Sequence, residues 1–311
     1  MLKKDTRYYF FSGKGGVGKT SIATATALQF AKNKNKTLII STDPAHSLSD
    51  SFEVKIGGEI KKLTKNLFAV EIDPEKAAEE YKKKLTPEIE KIESLKDMGL
   101  DSVFDTVGNA PGIDEIAAFD KFLQYLNSKD YDVIVFDTAP TGHALRFLSL
   151  PDVLDSWIGR VIKIRMKLSG VINIFKKLLP FTEESPSIGT EHLEEIKKRI
   201  EEARKTLSNP DKTHYNIVMI PEEMSIAESE RAVNTLKSYG IPVKTIIINQ
   251  IIPENPRCDF CTEKRRLQLK RIESIRKKFR NFKIIEIPLF KEEIKGFSAL
   301  EKLGRYLISK P

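Results

Sequence analysis

The sequence has few cysteines and no long apolar run. Its 311 residues include only two cysteines, Cys258 and Cys261, which are too few for a disulfide framework. It has no uninterrupted run of 18 apolar residues, and its first residues, MLKKDTRYYFF, lack the apolar stretch of a signal peptide. These absences favour a globular protein, which we expect to be cytoplasmic.

Positive charge is concentrated in one segment. The chain carries a net charge of +8, with a sequence pI near 9.2. Between Arg257 and Lys283 there are eleven Lys and Arg residues against three Asp and Glu, so this segment holds an excess equal to that of the whole chain. Two interpretations stay open, a solvated helix face or a docking surface for an acidic partner. Nucleic acid is not expected as a partner, because aromatic residues are not interleaved with the basic ones.

Short apolar, β-branched runs recur along the chain and predict an α/β fold. Helical patterns separate most of them, which is the alternation expected of a parallel sheet with helices on both faces. The runs are RYYFFS, KTLIIST, LFAVEID, YDVIVFD, YNIVMIP, VKTIIINQ and FKIIEIP. We predict a core formed by 1–74, 109–150 and 209–311, with an inserted helical subdomain formed by 75–108 and 151–208.

The stretch after the first run has the composition of a phosphate-binding loop. Its glycines let backbone N–H groups point into one concavity, and the helix that follows adds its positive end. Lys19 would reach the β- and γ-phosphates of a nucleotide, and Thr20 would place its hydroxyl on Mg²⁺. The predicted nucleotide-binding residues here are Gly13, Lys14, Gly15, Gly16, Val17, Gly18, Lys19, Thr20 and Ser21. This match, between a strand and a helix, predicts a parallel-sheet P-loop NTPase domain.

Two aspartates follow predicted strands. Asp43 ends KTLIISTDP and Asp137 ends YDVIVFD, and parallel strands bring their carboxyl ends to the same edge as the phosphate loop. Asp137 is placed to hold Mg²⁺, and Asp43 is the better candidate for orienting the attacking water. A helix cap or a strand-end surface charge is the alternative for each. Glycine and proline in DTAPTG, which begins at Asp137, suggest a loop that changes conformation with the γ-phosphate.

The candidate base pocket favours ATP over GTP. Asn249 closes the run KTIIINQ and could read the adenine edge with its amide. The segment after the last run could supply the other wall, with Pro288, Leu289 and Phe290 as candidates. No NKxD stretch of the kind that reads guanine is present.

The phosphate loop contains a second lysine, Lys14, for which one chain has no use. In a single chain it would point away from phosphates held by its own backbone. Across a two-fold interface it could reach the phosphates of the other subunit and stabilise transition-state charge, as an arginine finger does. Lys14 therefore predicts a homodimer in which hydrolysis requires the closed arrangement of the two subunits.

These motifs resemble the arsenite-pump ATPase family over nearly the whole chain. The segments that carry the resemblance are GKGGVGKT, STDPAHSLSDSF, PGIDE, DTAPTGHALRFLSLP and PLFKEEIKG. Within the family, a single-unit chain with Cys-x-x-Cys is most similar to the targeting factors that carry tail-anchored membrane proteins. The resemblance implies that Lys14 acts across the dimer, Asp43 positions water in the first switch, and Asp137 opens the second switch. It also implies adenine contacts near Asn249 and Pro288–Phe290.

Cys258 and Cys261 have the spacing that lets two thiolates hold one metal. Structural zinc takes four ligands, and the chain has no second cysteine pair. Two chains related by a two-fold axis would complete a Cys₄ zinc site and lock a dimer. Two free or redox-active thiols and a bridged iron–sulfur cluster are the alternatives.

The predicted helical subdomain contains an apolar stripe. Residues 157–180 place apolar side chains at helical spacing, which by itself indicates a core-facing or membrane-surface helix. The family resemblance implies a groove for a transmembrane segment, with the candidate residues Met98, Val103, Ile162, Met166, Ile172 and Phe175. Because the chain has only five methionines, Ile, Leu, Val and Phe would have to line much of this groove, which puts a broad client range in doubt.

The favoured interpretation is a homodimeric ATPase that uses ATP, Mg²⁺ and Zn²⁺. It would bind the hydrophobic C-terminal transmembrane segment of tail-anchored proteins and deliver them to a membrane receptor; stacking of dimers into larger assemblies is left open. One alternative is the arsenite-stimulated motor of an arsenical efflux pump, which asks for more thiolates and, in tandem members, a second nucleotide-binding half. An iron–sulfur carrier or scaffold is an alternative from another class. A membrane-surface positioning ATPase would have only KGFSALEKLGRYLISKP as an anchor.

Overall fold

A computed structural model describes most of the chain. The described residues are 6–41, 47–73, 76–77, 79–80, 113–137, 198 and 201–307, with side chains from Asp120 onward in the helix at 113–126. The strands are β1 (Arg7–Ser12), β2 (Thr37–Ser41), β3 (Lys61–Lys62), β4 (Leu67–Glu71), β5 (Val133–Asp137), β6 (Thr213–Met219), β7 (Val243–Ile251) and β8 (Lys283–Pro288). The helices are α1 (Lys19–Lys32), α2 (Ser47–Phe52), α3 (Ile113–Leu126), α4 (Glu223–Ser238), α5 (Asp259–Lys278) and α6 (Gly296–Leu307), and residues 201–208 are also helical.

The strands form one sheet in the order β3-β4-β2-β5-β1-β6-β7-β8. Every neighbouring pair is parallel except β3 and β4. A parallel sheet is covered on both faces, so its inner strands are continuous apolar runs, and every residue of β2 and β5 is buried. The strand β1 lies between β5 and β6, which places the loop after it near the middle of the carboxyl edge.

An aromatic ladder crosses the three central strands. Phe10 of β1 lies in register with Phe136 of β5 and Tyr215 of β6. The ring centroids are 4.7 Å and 5.7 Å apart with nearly parallel planes, and all three side chains are fully buried. Stacked aromatic neighbours stabilise one pairing register, so the ladder holds β1 firmly just before the phosphate loop.

The other face of the sheet positions α1. Phe11 points to the side opposite Phe10 and joins a core cluster with Ile22 of α1 and Leu303 of α6. The two helices approach closely, because a Cβ at Gly304 of α6 would overlap the side chain of Gln29 in α1. The packing of α1 against both the sheet and α6 fixes the position of its first turn, where Lys19 lies.

The predicted α/β fold is confirmed. Each of the seven apolar runs overlaps a strand whose ends differ from those of the run by at most two residues. The two-residue strand β3 was not predicted, because Lys61 and Lys62 are exposed and have no apolar pattern. It pairs antiparallel with β4 at the end of the sheet, where lysines discourage pairing with another chain.

The chain divides into two compact units. The first comprises residues 1–73, 128–148 and 206–311, and the second comprises residues 74–127 and 149–205. The sequence-based boundaries place 109–150 in the core, whereas α3 belongs to the second unit. The helical character of 75–108 and 151–208 stays a prediction, because most of these residues lie outside the described part of the chain.

Candidate nucleotide-binding site

The phosphate loop joins β1 to α1 and lies directly against the end of β6. A Cβ at Gly13 would overlap the carbonyl oxygen of Val218 in β6. Backbone atoms of a central strand cannot move aside as the end of a flexible side chain can. Gly13 is therefore required by the packing of the loop on the sheet, before any ligand is considered.

The outer part of the loop faces open space. Gly15 and Gly16 are exposed, and a Cβ at either would meet no atom within 4 Å. Gly16 has φ +78, a left-handed conformation that favours glycine. Because neither glycine has a side chain, a ligand can approach the backbone of this part of the loop closely.

The first turn of α1 is suited to an anion. Its N-cap is Gly18, with φ +91, which has no side chain to accept hydrogen bonds from the first N–H groups. No acidic residue occupies the first turn. The N–H groups and the positive end of the helix dipole there are arranged as they are in phosphate sites.

The two lysines of the loop, Lys14 and Lys19, differ in burial. Lys19 is 8% exposed, and its Nζ donates to the carbonyl oxygen of Lys14 at 3.2 Å. Its ammonium group therefore lies over the loop, where the phosphates of a nucleotide would add negative charge. Lys14 is half-buried, and its action in a second subunit stays a prediction.

The predicted magnesium ligand Asp137 lies beside the loop. It ends β5 in register with Phe11 of β1 on one side and Ser41 of β2 on the other, and it is 1% exposed. A carboxylate so well shielded from water, at this edge, is suited to a cation held by the nucleotide. Asp43 comes two residues after Ser41 but lies outside the described residues, so its role with water stays a prediction.

The end of β7 holds the loop from the side. Asn249 is 5% exposed, and its Nδ2 donates to the carbonyl oxygen of Val17 at 2.9 Å. Gln250 Nε2 donates to the carbonyl oxygen of Gly16 at 3.2 Å. The predicted adenine contact of Asn249 stays a prediction, and its observed role is to support the loop. Gln250 was missed, because nothing in its local pattern links it to residues more than 200 positions earlier.

The predicted base-pocket segment lies next to the end of β7. Pro288 ends β8, and the N–H of Leu289 donates to the carbonyl oxygen of Ile251 at 2.7 Å. Leu289 is 46% exposed, while the ring of Phe290 packs edge-on against Tyr306 of α6 with centroids 5.9 Å apart. An exposed apolar side chain at this edge is compatible with stacking on a base, and that role stays a prediction.

The cysteine pair begins α5. Cys258 is the N-cap, and its Sγ accepts from the N–H of Cys261 at 3.4 Å. Hydrogen bonds from Cys261 lower the pKa of Cys258, and the hydrogen bond with Cys258 raises the pKa of Cys261. Within the described part of the chain, no three His, Cys, Asp or Glu side chains are grouped so that they could hold a metal ion. A four-thiolate site needs two more ligands than the pair supplies, so the zinc site stays a prediction.

The candidate client groove lies outside the described residues. This applies to Met98, Val103, Ile162, Met166, Ile172 and Phe175. Among the helices that the structure describes, none is both long and apolar enough to cross a membrane.

A glycine-rich loop between a central parallel strand and an uncapped helix, with a buried lysine over it, defines a P-loop nucleotide-binding protein. The family model for anion-transporting ATPases matches residues 6–309. The chain therefore belongs to the anion-transporting ATPase family and is an ATP-hydrolysing enzyme.

Three named ATPases are similar to the chain over nearly its whole length. The chain is 39% identical to ATPase GET3B and 37% identical to ATPase GET3C of Arabidopsis thaliana, in each case over 96% of this chain and 78% and 81% of those proteins. It is 36% identical to ATPase GET3 of Podospora anserina, over 98% of this chain and 91% of that protein.

Proposed function

We propose that this chain forms a homodimeric ATPase that binds the hydrophobic C-terminal transmembrane segment of tail-anchored proteins and targets them to a membrane. Its similarity to proteins named ATPase GET3, over nearly the whole chain, is the observation that carries the proposal. Proteins of that name are tail-anchored targeting ATPases. The protein would act in the cytoplasm, between synthesis of the client and a membrane receptor.

In this proposal the phosphate loop binds ATP and Mg²⁺ together. Lys19 and the loop N–H groups bind the phosphates, and Thr20 and Asp137 would hold Mg²⁺, which neutralises phosphate charge when bound. Asp43 orients the attacking water, and Lys14 of one subunit stabilises charge at the site of the other. The buried positions of Lys19 and Asp137 support this assignment, because both groups are shielded from water beside the loop.

The cysteine pair would hold the two subunits together. Cys258 and Cys261 from each chain would supply four thiolates to one Zn²⁺ on the two-fold axis. Cys258 Sγ accepts a hydrogen bond from the N–H of Cys261 at the start of α5, which favours its thiolate form. Each chain would supply two of the four ligands.

Co-expression with a short tail-anchored protein tests the proposal. We expect the complex to co-elute in size-exclusion chromatography with light scattering, and to contain about half a zinc ion per chain. The matched control is the same client with charged residues placed in its transmembrane segment, which should not co-elute. The double variant Cys258→Ser/Cys261→Ser should lose zinc.

The other interpretations have distinct signatures in the same preparation. Failure to bind the client, together with ATP hydrolysis stimulated by arsenite, would indicate a pump motor instead. Colour from iron after anaerobic purification would indicate an iron–sulfur carrier.

A further inference from the structure

Two adjacent side chains at the end of β7 donate to two adjacent carbonyl groups of the phosphate loop. Asn249 reaches Val17 and Gln250 reaches Gly16. In a regular strand, successive side chains point to opposite faces and could not do this. Gln250 has φ +57, a left-handed conformation that is uncommon for a residue with a side chain, and it breaks the alternation. The pairing of β7 with β8 also shifts register between Ile248 and Ile251, as a bulge does.

The hydrogen bonds from β7 fix the direction of two N–H groups of the phosphate loop. A trans peptide is planar, so its C=O and N–H point in opposite directions, and the described residues contain no cis peptide. The carbonyl oxygens of Gly16 and Val17 point toward the β7 amides. The N–H groups of the same two peptides, which belong to Val17 and Gly18, therefore point away from β7.

The unusual backbone at Gln250 is itself held by α5. Gln268 Nε2 donates to the carbonyl oxygen of Gln250 at 3.2 Å, and its Oε1 accepts from the N–H of Ile252 at 2.8 Å. One side-chain amide thus supplies both the donor and the acceptor that a neighbouring strand would provide. Arg265 of the same helix also donates to the carbonyl oxygen of Ile252. Both side chains are part-buried, which limits competition from water.

We propose that Gln250 and Gln268 are positioning residues for ATP. Gln268 holds the left-handed backbone of Gln250, and Gln250 in turn aims the N–H group of Val17 at the phosphates. Gln268 lies seven residues after Cys261, about two helical turns along α5. The cysteine pair and the phosphate loop are thereby joined through one helix and two glutamines. This inference depends on ATP binding in the loop and is independent of the proposed client.

Variants at both positions test the inference in the full chain. Gln250→Gly removes the amide but suits the left-handed backbone, so the melting temperature without nucleotide should not fall. Loss of the hydrogen bond should weaken ATP binding by calorimetry about three- to tenfold, and the KM for ATP should rise with it. Gln268→Met keeps the length of the side chain without its hydrogen bonds and should weaken ATP binding in the same range. The control is Leu269→Ala, the 44% exposed neighbour on the same helix, which should bind ATP normally.

The double variant decides whether the two glutamines act in series. If Gln268 acts through Gln250, Gln250→Gly/Gln268→Met should bind ATP no more weakly than the weaker single variant. Additive losses would overturn the relay. ATP affinity and KM within twofold of the wild-type values for Gln250→Gly would overturn the positioning role altogether. A melting temperature that falls while ATP affinity is unchanged would show that the contacts are only structural.

Discussion

Gly13 and Gly15 lie two residues apart in the phosphate loop, yet they are under different constraints. A Cβ at Gly13 would overlap the backbone of β6, whereas a Cβ at Gly15 would enter open space. Sequence spacing treats the two glycines alike, since both belong to one motif. Their surroundings distinguish them: Gly13 is needed for packing of the loop on β6, whereas the space beside Gly15 is open to a ligand.

Gly13→Ala should therefore lower stability, and Gly15→Ala should not. We expect the free energy of unfolding to fall by about 1–3 kcal/mol for Gly13→Ala, the usual effect of overpacking. Gly15→Ala should stay within about 0.5 kcal/mol of the wild type. Urea denaturation without nucleotide measures both. Equal losses for the two variants would contradict the packing difference.

At the scale of the element, an aromatic pair holds the first residues of β6 against β1. His214 stacks on Tyr9 of β1 with ring centroids 4.7 Å apart and planes 8° from parallel. Burial lowers the pKa of His214 below its ordinary value, and the cations of Lys244 and Arg7 lower it further, against an opposing contribution from Asp211. The imidazole is accordingly neutral in the folded protein at pH 7.

Stability should decline as the pH falls through the ordinary histidine pKa of about 6.5. The unfolded chain takes up a proton at His214 near this pH, while the folded chain takes it up only at lower pH. The unfolded state then binds more protons, so the stability that is present above about pH 6.5 is lost on acidification. His214→Phe keeps a ring against Tyr9 and should reduce this loss, as measured by urea unfolding between about pH 5 and pH 7. An unchanged pH dependence would show that His214 does not contribute.

At the scale of the whole molecule, the two lysines of the phosphate loop differ. Lys19 binds within its own chain, whereas Lys14 is proposed to act in a second subunit. Lys19 is buried and hydrogen-bonded to its own loop, while Lys14 is half-buried. Folding of one chain is enough to place Lys19. The proposed action of Lys14 needs an assembly, so its test must use two different chains.

Mixed dimers of Lys14→Ala and Asp43→Asn should recover ATP hydrolysis. Each variant alone should bind ATP but hydrolyse it poorly. In a mixed dimer, one site would combine the intact Asp43 of one chain with the intact Lys14 of the other. Random exchange of equal amounts should restore about a quarter of the wild-type sites, because half of the dimers are mixed and each has one intact site. Pull-down through a tag on one chain confirms that mixed dimers form, and no recovery in them would argue against action across subunits.

Much of the fold was predictable, because the signals for it are local. The apolar runs located seven of the eight described strands, and the glycine spacing located the phosphate loop between β1 and α1. The exposed strand β3 escaped prediction because it is two lysines long. Only the placement of part of the site can be compared: Lys19 lies over the loop and Asp137 ends β5 at the same sheet edge, whereas Asp43 and the client groove lie outside the described residues. The roles of these residues stay predictions.

The sequence by itself determined the class of fold, the position of the phosphate loop and the membership of an ATPase family. These depend on periodicity and on spacing within a few residues, which can be recognised in the sequence without knowledge of the tertiary structure. Only the tertiary structure decided that Val218 lies against Gly13, and that Gln268 supports Gln250, which in turn contacts Gly16. Such contacts depend on the order of strands in the sheet and on a left-handed turn at Gln250. Hydrophobic periodicity encodes neither, because it records which side of an element is buried and not which distant residue covers it.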